Sequence, residues 1–165
     1  MKTLIHILFL LCISAACNGV VNGVNARSAA SESYDTLATG WYHVVGSGEG
    51  VAKELGTGST YHLNPKPIVK ASHFKTMTAE SFPHDDTLWQ VVVQLDEEGR
   101  KLFANATEEL IGQDLAFVLN DSLWAEPIRI QAKIPNGVIV ISKKGRFSKE
   151  EAEELRDQIE ASKVK

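Results

Sequence analysis

The second half of the chain combines short β-branched apolar runs with segments of helical spacing. Residues 88–95 form the clearest predicted strand, because the three valines at 91–93 favour extended backbone over helix. Asp96 suits a helix N-cap, and the two glutamates that follow it suit the positive end of a helix dipole. Gly112 is a plausible stop signal. The pattern therefore predicts a strand that leads directly into a helix between Asp96 and Gly112.

Each of two predicted helices carries one apolar face that needs a sheet to cover it. In the first helix, the residues at helical spacing are Leu102, Phe103, Ala106 and Leu110. The second helix is predicted after Ser148, which makes a capping box with Glu151 three residues later. The residues expected to form its buried stripe are Ala152, Leu155 and Ile159.

The remaining apolar runs predict short strands separated by turns. Strands are expected at residues 41–45, 51–55, 60–63, 115–119, 123–130 and 138–141, and weaker β propensity extends over 68–78. Two prolines in segment 65–67 force extended backbone, and 82–86 is predicted as a loop. The glycines at 46–50 predict a hairpin turn, since a phosphate-binding loop would have to open a helix. The predicted fold class is α+β, with a small, mostly antiparallel sheet packed by two helices.

The first 16 residues have the pattern of an export signal. A positive charge at Lys2 precedes an apolar run at 4–13, which is shorter than the roughly 20 residues that a membrane-spanning helix needs. Small residues then precede Cys17, as in a bacterial lipobox, so we expect lipidation to tether the protein to the cell envelope, facing the periplasm. Cleavage of an ordinary signal after Ala16 or Ala26 is the alternative, and it would give a soluble periplasmic or secreted protein.

Cysteine count, composition and charge indicate the disulfide content, the domain organisation and the class of partner. Cys12 lies inside the signal, so the exported chain would keep a single cysteine and no internal disulfide. Residues 17–39 are rich in Asn, Gly, Ser and Ala, which predicts a flexible linker before a folded domain at 40–162. The chain has 17 Lys and Arg against 21 Asp and Glu, and its net charge of −4 argues against nucleic acid as a partner.

An ordered set of motifs in this sequence resembles one known family. The set consists of Leu95, Asp96, Gly99, Phe103, Thr107, Ile111, Gly112, the run 115–121, Pro127, Gly137, Gly145, Phe147, Ser148, Glu151 and Ala152. In this order the motifs are similar to the head of the first periplasmic domain of SecD and SecDF, accessory subunits of the bacterial protein-export channel. Residues 41–67 fit that pattern more loosely. Tripeptides at 35–37, 86–88 and 121–123 also resemble a short O-glycosylation motif of Bacteroidetes.

The resemblance implies a SecD-head-like fold and a binding role for protein or peptide. SecD itself carries membrane helices that couple proton flow to export, and the sequence predicts none here, so that activity is not carried over. The first hypothesis is a non-enzymatic envelope lipoprotein that binds unfolded preprotein or an envelope protein and assists export or folding. A structural or assembly component that holds one specific envelope partner is the alternative.

Residue patterns for catalysis or cofactor binding are weak. The histidines at 43, 62, 73 and 84 lie on separate segments, without the close ligand spacing of zinc sites, so no metal is expected. Serines are plentiful, but none lies in a Gly-x-Ser-x-Gly elbow. We therefore expect no catalytic residues and no cofactor, and a hydrolase is the third hypothesis.

Trp124 is the strongest candidate for contact with a partner, because aromatic residues anchor many interfaces. It follows a predicted turn at Asn120 and Asp121 and precedes Glu126. Trp124, Asp121 and Glu126 are accordingly the predicted partner-binding residues. The glutamates at 150–154 predict a solvated helix face, with a surface for a basic partner as the alternative.

Overall fold

The computed structural model describes residues 36–143 and 147–163, all within the compact unit Ser33–Lys165. Ten strands, two α-helices and one short 3₁₀ turn make up this part of the chain. They are β1 (Gly40–Val45), β2 (Val51–Glu54), β3 (Thr60–Leu63), β4 (Val69–Lys70), the 3₁₀ turn (Ala71–His73), β5 (Phe74–Phe82), β6 (Asp85–Leu95), α1 (Glu97–Glu109), β7 (Asp114–Leu119), β8 (Ser122–Leu123), β9 (Ile128–Arg129), β10 (Val138–Ile141) and α2 (Lys149–Ser162). Neither described helix has the length and apolar character that a membrane span requires.

The strands form two antiparallel sheets. The larger sheet has the order β2-β3-β1-β7-β8, with β4 also paired to β1 and β9 also paired to β7. The smaller sheet has the order β10-β6-β5. Register places Trp41 of β1 opposite Phe117 of β7. The predicted α+β class is confirmed, although the strands divide between two sheets instead of forming one.

Both sheets and both helices contribute to the main core. Trp41 packs its ring edge against Phe103 of α1, with ring centroids 6.4 Å apart, and tilts against Phe117 at 5.3 Å. Helix α2 packs on β5 and β6. Its buried stripe is the predicted one, formed by Ala152, Leu155 and Ile159. The capping box of Ser148 and Glu151 is also confirmed.

A smaller core lies on the opposite face of β1 and β7. Its buried members are Leu37, Tyr42, Leu55, Leu63, Ala116, Val118 and Leu123. The Tyr42 hydroxyl donates to the Ala38 carbonyl at 2.7 Å. Burial, together with the nearby charge of Asp121, raises the pKa of Tyr42 to about 12. The phenol therefore stays neutral within this core at physiological pH.

The folded part begins before the predicted boundary at Gly40. Leu37 and Thr39 are buried, and the Thr39 hydroxyl accepts a hydrogen bond from the Asn120 N–H at 3.1 Å. The end of the predicted linker at 17–39 therefore belongs to the fold, because Leu37 supplies apolar surface to the smaller core. The signal at 1–16, Cys17 and the linker up to residue 35 lie outside the described residues and stay predictions.

The buried face of α1 differs from the predicted face. Phe103 and Thr107 are buried, whereas Leu102 is 42% exposed and Ala106 is half-buried. The Thr107 hydroxyl donates to the Phe103 carbonyl at 2.8 Å and accepts from the Ile134 N–H at 3.0 Å. The prediction for Leu102 was wrong because a threonine with both hydrogen-bonding needs met occupies the core side of the helix.

Two predicted segments also differ in the details of their strands. Residues 82–86, expected to be a loop, form the end of a hairpin in which Phe82 pairs with Asp85 and His84 adopts φ = 73°. Residues 123–130 do not form one strand, and the extended run is split into β8 and β9 on either side of Pro127. The missing proline N–H explains this break, since it cannot contribute to a strand ladder.

Candidate functional site

A groove of about 650 Å³ separates segment 64–70 from helix α1. We call it the α1 groove. Its apolar lining includes Pro65, Pro67 and Ile68 from the segment and Leu102 and Ala106 from the helix. A concave surface with mainly apolar lining and a few polar groups is typical of ligand sites.

The wall formed by segment 64–68 has its backbone donors satisfied within the fold. The Asn64 N–H donates to the His43 carbonyl at 2.9 Å, and the Ile68 N–H donates to the Trp41 carbonyl at 2.8 Å. Between them, the Lys66 N–H donates to the Asn64 side chain at 2.9 Å. The remaining two residues are prolines, which have no N–H and restrict the backbone. This wall is therefore held in place without a ligand.

The opposite wall is one face of α1. The residues that line it are Leu102, Asn105, Ala106 and Glu109, which have the i, i+3, i+4, i+7 spacing of a single helix face. Helix α1 starts at the N-cap Asp96, whose side chain accepts from the Gly99 N–H at 2.7 Å. Phe103 and Thr107 anchor the other side of the helix in the core, so Leu102 faces the groove.

His73 also lines the groove, and Gly99 allows its close approach to α1. A Cβ atom on residue 99 would lie only 2.7 Å from the Cβ of His73. The Asp96 N–H donates to the His73 carbonyl at 2.9 Å, and Asp96 Oδ2 lies 3.6 Å from His73 Nδ1. Gly99, which belongs to the motif set described above, thus allows the first turn of α1 to pack on the 3₁₀ turn.

The lining chemistry suits binding of a mixed apolar and polar ligand. Lys66 and Lys70 lie on one side of the apolar surface and Glu109 lies on the other. Among the described residues that line the groove, there is no serine, threonine or cysteine beside His73. Among the described residues, no three His, Cys, Asp or Glu side chains come together as a metal site requires.

The three predicted partner-binding residues lie in three different places. Trp124 is half-buried, packs against the main core and lines a cleft with Phe147 and Glu151 near the start of α2. Glu126 is exposed and lines a separate cleft beside Trp41. Asp121 lies near the N-terminal end of the described chain. The structure does not combine them into one site, and their role with a partner stays a prediction.

Asp121 has a clear structural role. Its carboxylate accepts from the Leu37 N–H at 2.6 Å and forms an ion pair with Lys53. Desolvation acts to raise the pKa of Asp121, but the bonds from Lys53 and from the Leu37 backbone outweigh it and hold the pKa below 3.8. The residue also adopts φ = 70° in the turn after β7. Asp121 therefore joins the start of the fold to β2 and to this turn.

We expect Asp121→Asn to lower the free energy of unfolding by about 0.5–1 kcal/mol at pH 7, because the ion pair with Lys53 is lost. Asparagine keeps an acceptor for the Leu37 N–H and tolerates positive φ. Because the folded-state pKa is lowered, the contribution of the charge is present above pH 3.8 and is lost as the pH falls through the folded-state pKa. Urea unfolding at pH 7 and at pH 2.5 measures this change.

The control for this prediction is Glu126→Gln, which also removes one carboxylate from the surface but lies outside the ion pair. We expect it to leave the free energy of unfolding nearly unchanged at both pH values. A penalty for Asp121→Asn that is equally large at both pH values would contradict the electrostatic assignment.

Comparison with known proteins places this two-sheet α+β domain in a family. Residues 49–164 match the family model of the SecDF P1 head subdomain. This match covers more than half of the chain, and the chain belongs to that family. The resemblance in the motif order, from Leu95 to Ala152, is therefore confirmed.

One curated relative and two solved structures show the extent of the similarity. The protein translocase subunit SecD of Desulfurispirillum indicum is 40% identical over 65 residues, which are 39% of this chain and 12% of that protein. The chain thus matches a small part of the length of this relative. SecDF in its super-membrane-facing form has a TM-score of 0.56 and 21% identity over 73% of this chain and 18% of its own. A structure of SecDF, a membrane component that enhances protein export, has a TM-score of 0.57 and 21% identity. The match covers 75% of this chain and 62% of that one. At this identity, the structures show that the fold is shared.

Proposed function

We propose that this chain is a non-enzymatic envelope lipoprotein whose head domain binds unfolded polypeptide and assists protein export or folding. Lipidation of Cys17 tethers it to the membrane, with the domain facing the periplasm. The observation that carries the proposal is the α1 groove, with its preformed apolar lining between two rigid walls. The similarity to a SecDF described as enhancing protein export also supports a role in export.

The α1 groove suits unfolded chains because its apolar surface can accept side chains of different shapes. Burial of one leucine- or phenylalanine-sized side chain contributes about 1.5–3 kcal/mol. Lys66 and Glu109, on opposite sides, offer charges of both signs to the polar groups of a bound peptide. The prolines restrict the backbone of this wall before binding, so less conformational entropy is lost when a peptide binds.

A binding role without catalysis is supported by the same lining. His73 is the only histidine among the described residues that line the groove, and its Nδ1 lies 3.6 Å from Asp96 Oδ2. A nucleophilic mechanism also needs a hydroxyl or thiol within hydrogen-bond reach of the base. The groove lining supplies none beside His73, so the chemistry available here is recognition.

We expect Leu102→Asp to weaken binding of unfolded polypeptide by about tenfold or more, because it places a charge on the apolar lining. Fluorescence anisotropy with the full chain and a labelled, reduced and carboxymethylated protein measures this. Ile111→Asp is the matched control, since Ile111 is 53% exposed and does not line the α1 groove. Its affinity should stay within about twofold of the wild type, because an isolated exposed apolar residue contributes little.

Equal affinity of the Leu102→Asp and wild-type chains would contradict the groove assignment. The same labelled protein in its native folded form tests the class of partner. We expect no binding of this folded form. If the wild-type chain binds neither form and is captured in native envelopes with one folded protein, the structural or assembly hypothesis replaces this one.

A further inference from the structure

β10 is an edge strand, and one of its residues has a backbone N–H and C=O without a partner among the described residues. The Leu95 N–H donates to the Gly137 carbonyl at 2.8 Å, which sets the alternation of the ladder between β6 and β10. In this register Ile139 and Ile141 bond to β6, whereas Val140 directs its N–H and C=O away from it. Within the described part of the chain, no strand pairs with this outer side of β10.

The other β10 backbone N–H that points away from β6, that of Val138, already has an acceptor. The Val138 N–H donates to Asn136 Oδ1 at 3.1 Å, which confirms that even-numbered residues of β10 face outward. The first position open to an incoming chain is therefore Val140. The N–H and C=O of Val140 can form hydrogen bonds with the C=O and N–H of one residue in an extended strand. These bonds involve only the backbone, so they do not require a particular side chain.

Apart from its short length of four residues, the β10 edge lacks the features that usually protect strand edges. Charged residues, prolines and bulges commonly prevent unwanted pairing at such edges. β10 consists only of valine and isoleucine. The opposite edge of the same sheet, β5, carries Lys75 and Glu80 and has a register irregularity between Phe74 and Thr76. Only one of the two edges is therefore open to pairing by these criteria.

A small cleft lies beside β10. The cleft has a volume of about 40 Å³ and is lined by Trp41, Ile128, Val140 and Ser142, among others. Trp41 is only 4% exposed, and its indole N–H has no acceptor among the described residues. The indole nitrogen is enclosed by its surroundings, so it is out of reach of an incoming chain.

Exposed apolar side chains flank this cleft. Ile128 is 50% exposed and Val140 is 43% exposed. In an extended peptide, alternate side chains lie on the same face, so an apolar residue at every second position can contact this surface. The backbone pair and the apolar flanks together match an extended polypeptide.

We propose that an extended polypeptide segment adds to β10 as a further strand, pairing with the Val140 N–H and C=O. This inference rests on the proposed function, because the occupant is the same unfolded polypeptide, held at a second surface separate from the α1 groove. Backbone pairing there is independent of sequence, which suits a domain that must bind many different chains.

Nuclear magnetic resonance of the full chain tests the pairing directly. The probe is a ten-residue peptide of alternating valine and threonine with lysines at both ends. At saturation, hydrogen exchange of the Val140 amide should slow by about tenfold or more, as expected for a protected strand.

A second peptide and two variants provide the controls. The same peptide with N-methyl groups at alternate residues keeps its side chains but loses the pairing donors, so we expect it to bind at least about tenfold weaker. Val140→Pro should weaken binding of the unmodified peptide to a similar extent, because it removes the outward N–H. Val140→Ala keeps that N–H and should stay within about threefold of the wild type, since one partly exposed side chain is shortened.

Several results would overturn the proposal. Unchanged Val140 exchange at saturating peptide would show that the peptide binds elsewhere, with the function intact. Equal affinity for the methylated and unmodified peptides would likewise show that the peptide does not bind by strand pairing at β10. Slow Val140 exchange that depends on protein concentration without peptide would assign the edge to a second copy of the chain. If neither peptide nor unfolded protein binds, the proposed function fails together with this inference. The wild-type exchange data decide the question even if Val140→Pro does not fold.

Discussion

Phe103→Ala is expected to lower the free energy of unfolding by about 3–5 kcal/mol, whereas Leu102→Ala should lower it by less than about 0.5 kcal/mol. Phe103 is 1% exposed and contacts the ring of Trp41, so its loss leaves a cavity in the main core. Leu102, its neighbour in the sequence, is 42% exposed and lines the α1 groove. Urea unfolding of the two variants measures the difference.

The same pair of variants separates stability from binding. Leu102→Ala should weaken binding of unfolded polypeptide by about threefold to tenfold while it leaves stability almost unchanged, because it removes apolar contact surface. Similar losses of stability in the two variants would contradict the observed orientation of α1. They would place Leu102 in the core, as the spacing of apolar residues alone predicts, and would remove it from the groove.

Thr107→Val is expected to lower the free energy of unfolding by about 1–3 kcal/mol, although it changes the side-chain volume very little. Valine cannot accept from the Ile134 N–H, which bonds to the Thr107 hydroxyl at 3.0 Å. That N–H then loses its acceptor inside the fold. Thermal or urea unfolding gives the size of the loss, and amide hydrogen exchange at Ile134 shows its location.

Thr107→Ser is the control for this change, because serine keeps the hydroxyl and loses one methyl group. We expect it to cost about 0.5–1.5 kcal/mol and to leave the Ile134 amide protected. Fast exchange at Ile134 should occur in the valine variant alone. If Ile134 stays protected in Thr107→Val, the hydroxyl does not hold segment 130–134 against α1.

Local signals in the sequence predict most of the strands and both helix starts. The β-branched run at 91–93 lies in β6, and Asp96 and Ser148 are the observed N-caps. These features depend on residues that are close in the chain, so they can be inferred before the tertiary structure is known. The stripe of α2 is predicted correctly for the same reason, since each of its members is apolar and at regular spacing.

The α1 groove could not be predicted, because it depends on the orientation of α1. Four apolar residues in this helix suggested a single face, but the core accepts Thr107 and leaves Leu102 outside. The Thr107 hydroxyl finds its partners in Phe103 and in Ile134, which is 27 residues away. A bond over that separation has no signature in local spacing. The family motif, which includes this threonine, was the only available signal.

The open edge at β10 likewise depends on tertiary structure. The sequence predicts a strand at Val138–Ile141 but not its place beside β6, which leaves Val140 unpaired on its outer side. Trp124, predicted to be an exposed partner anchor, is half-buried and packs partly against the main core, and its role with a partner stays a prediction. Of the predicted partner residues, Glu126 alone lies beside the β10 edge.

The most direct test of the central claim is photocrosslinking in native envelopes with a photoreactive amino acid at position 102 of the full chain. The same group at position 111 is the control, because both positions are exposed but only Leu102 lines the α1 groove. We expect position 102 to capture many different unfolded export substrates, and position 111 to capture few. Equal capture from both positions, or capture of one folded protein from position 102, would contradict the account of this domain as a polypeptide-binding head.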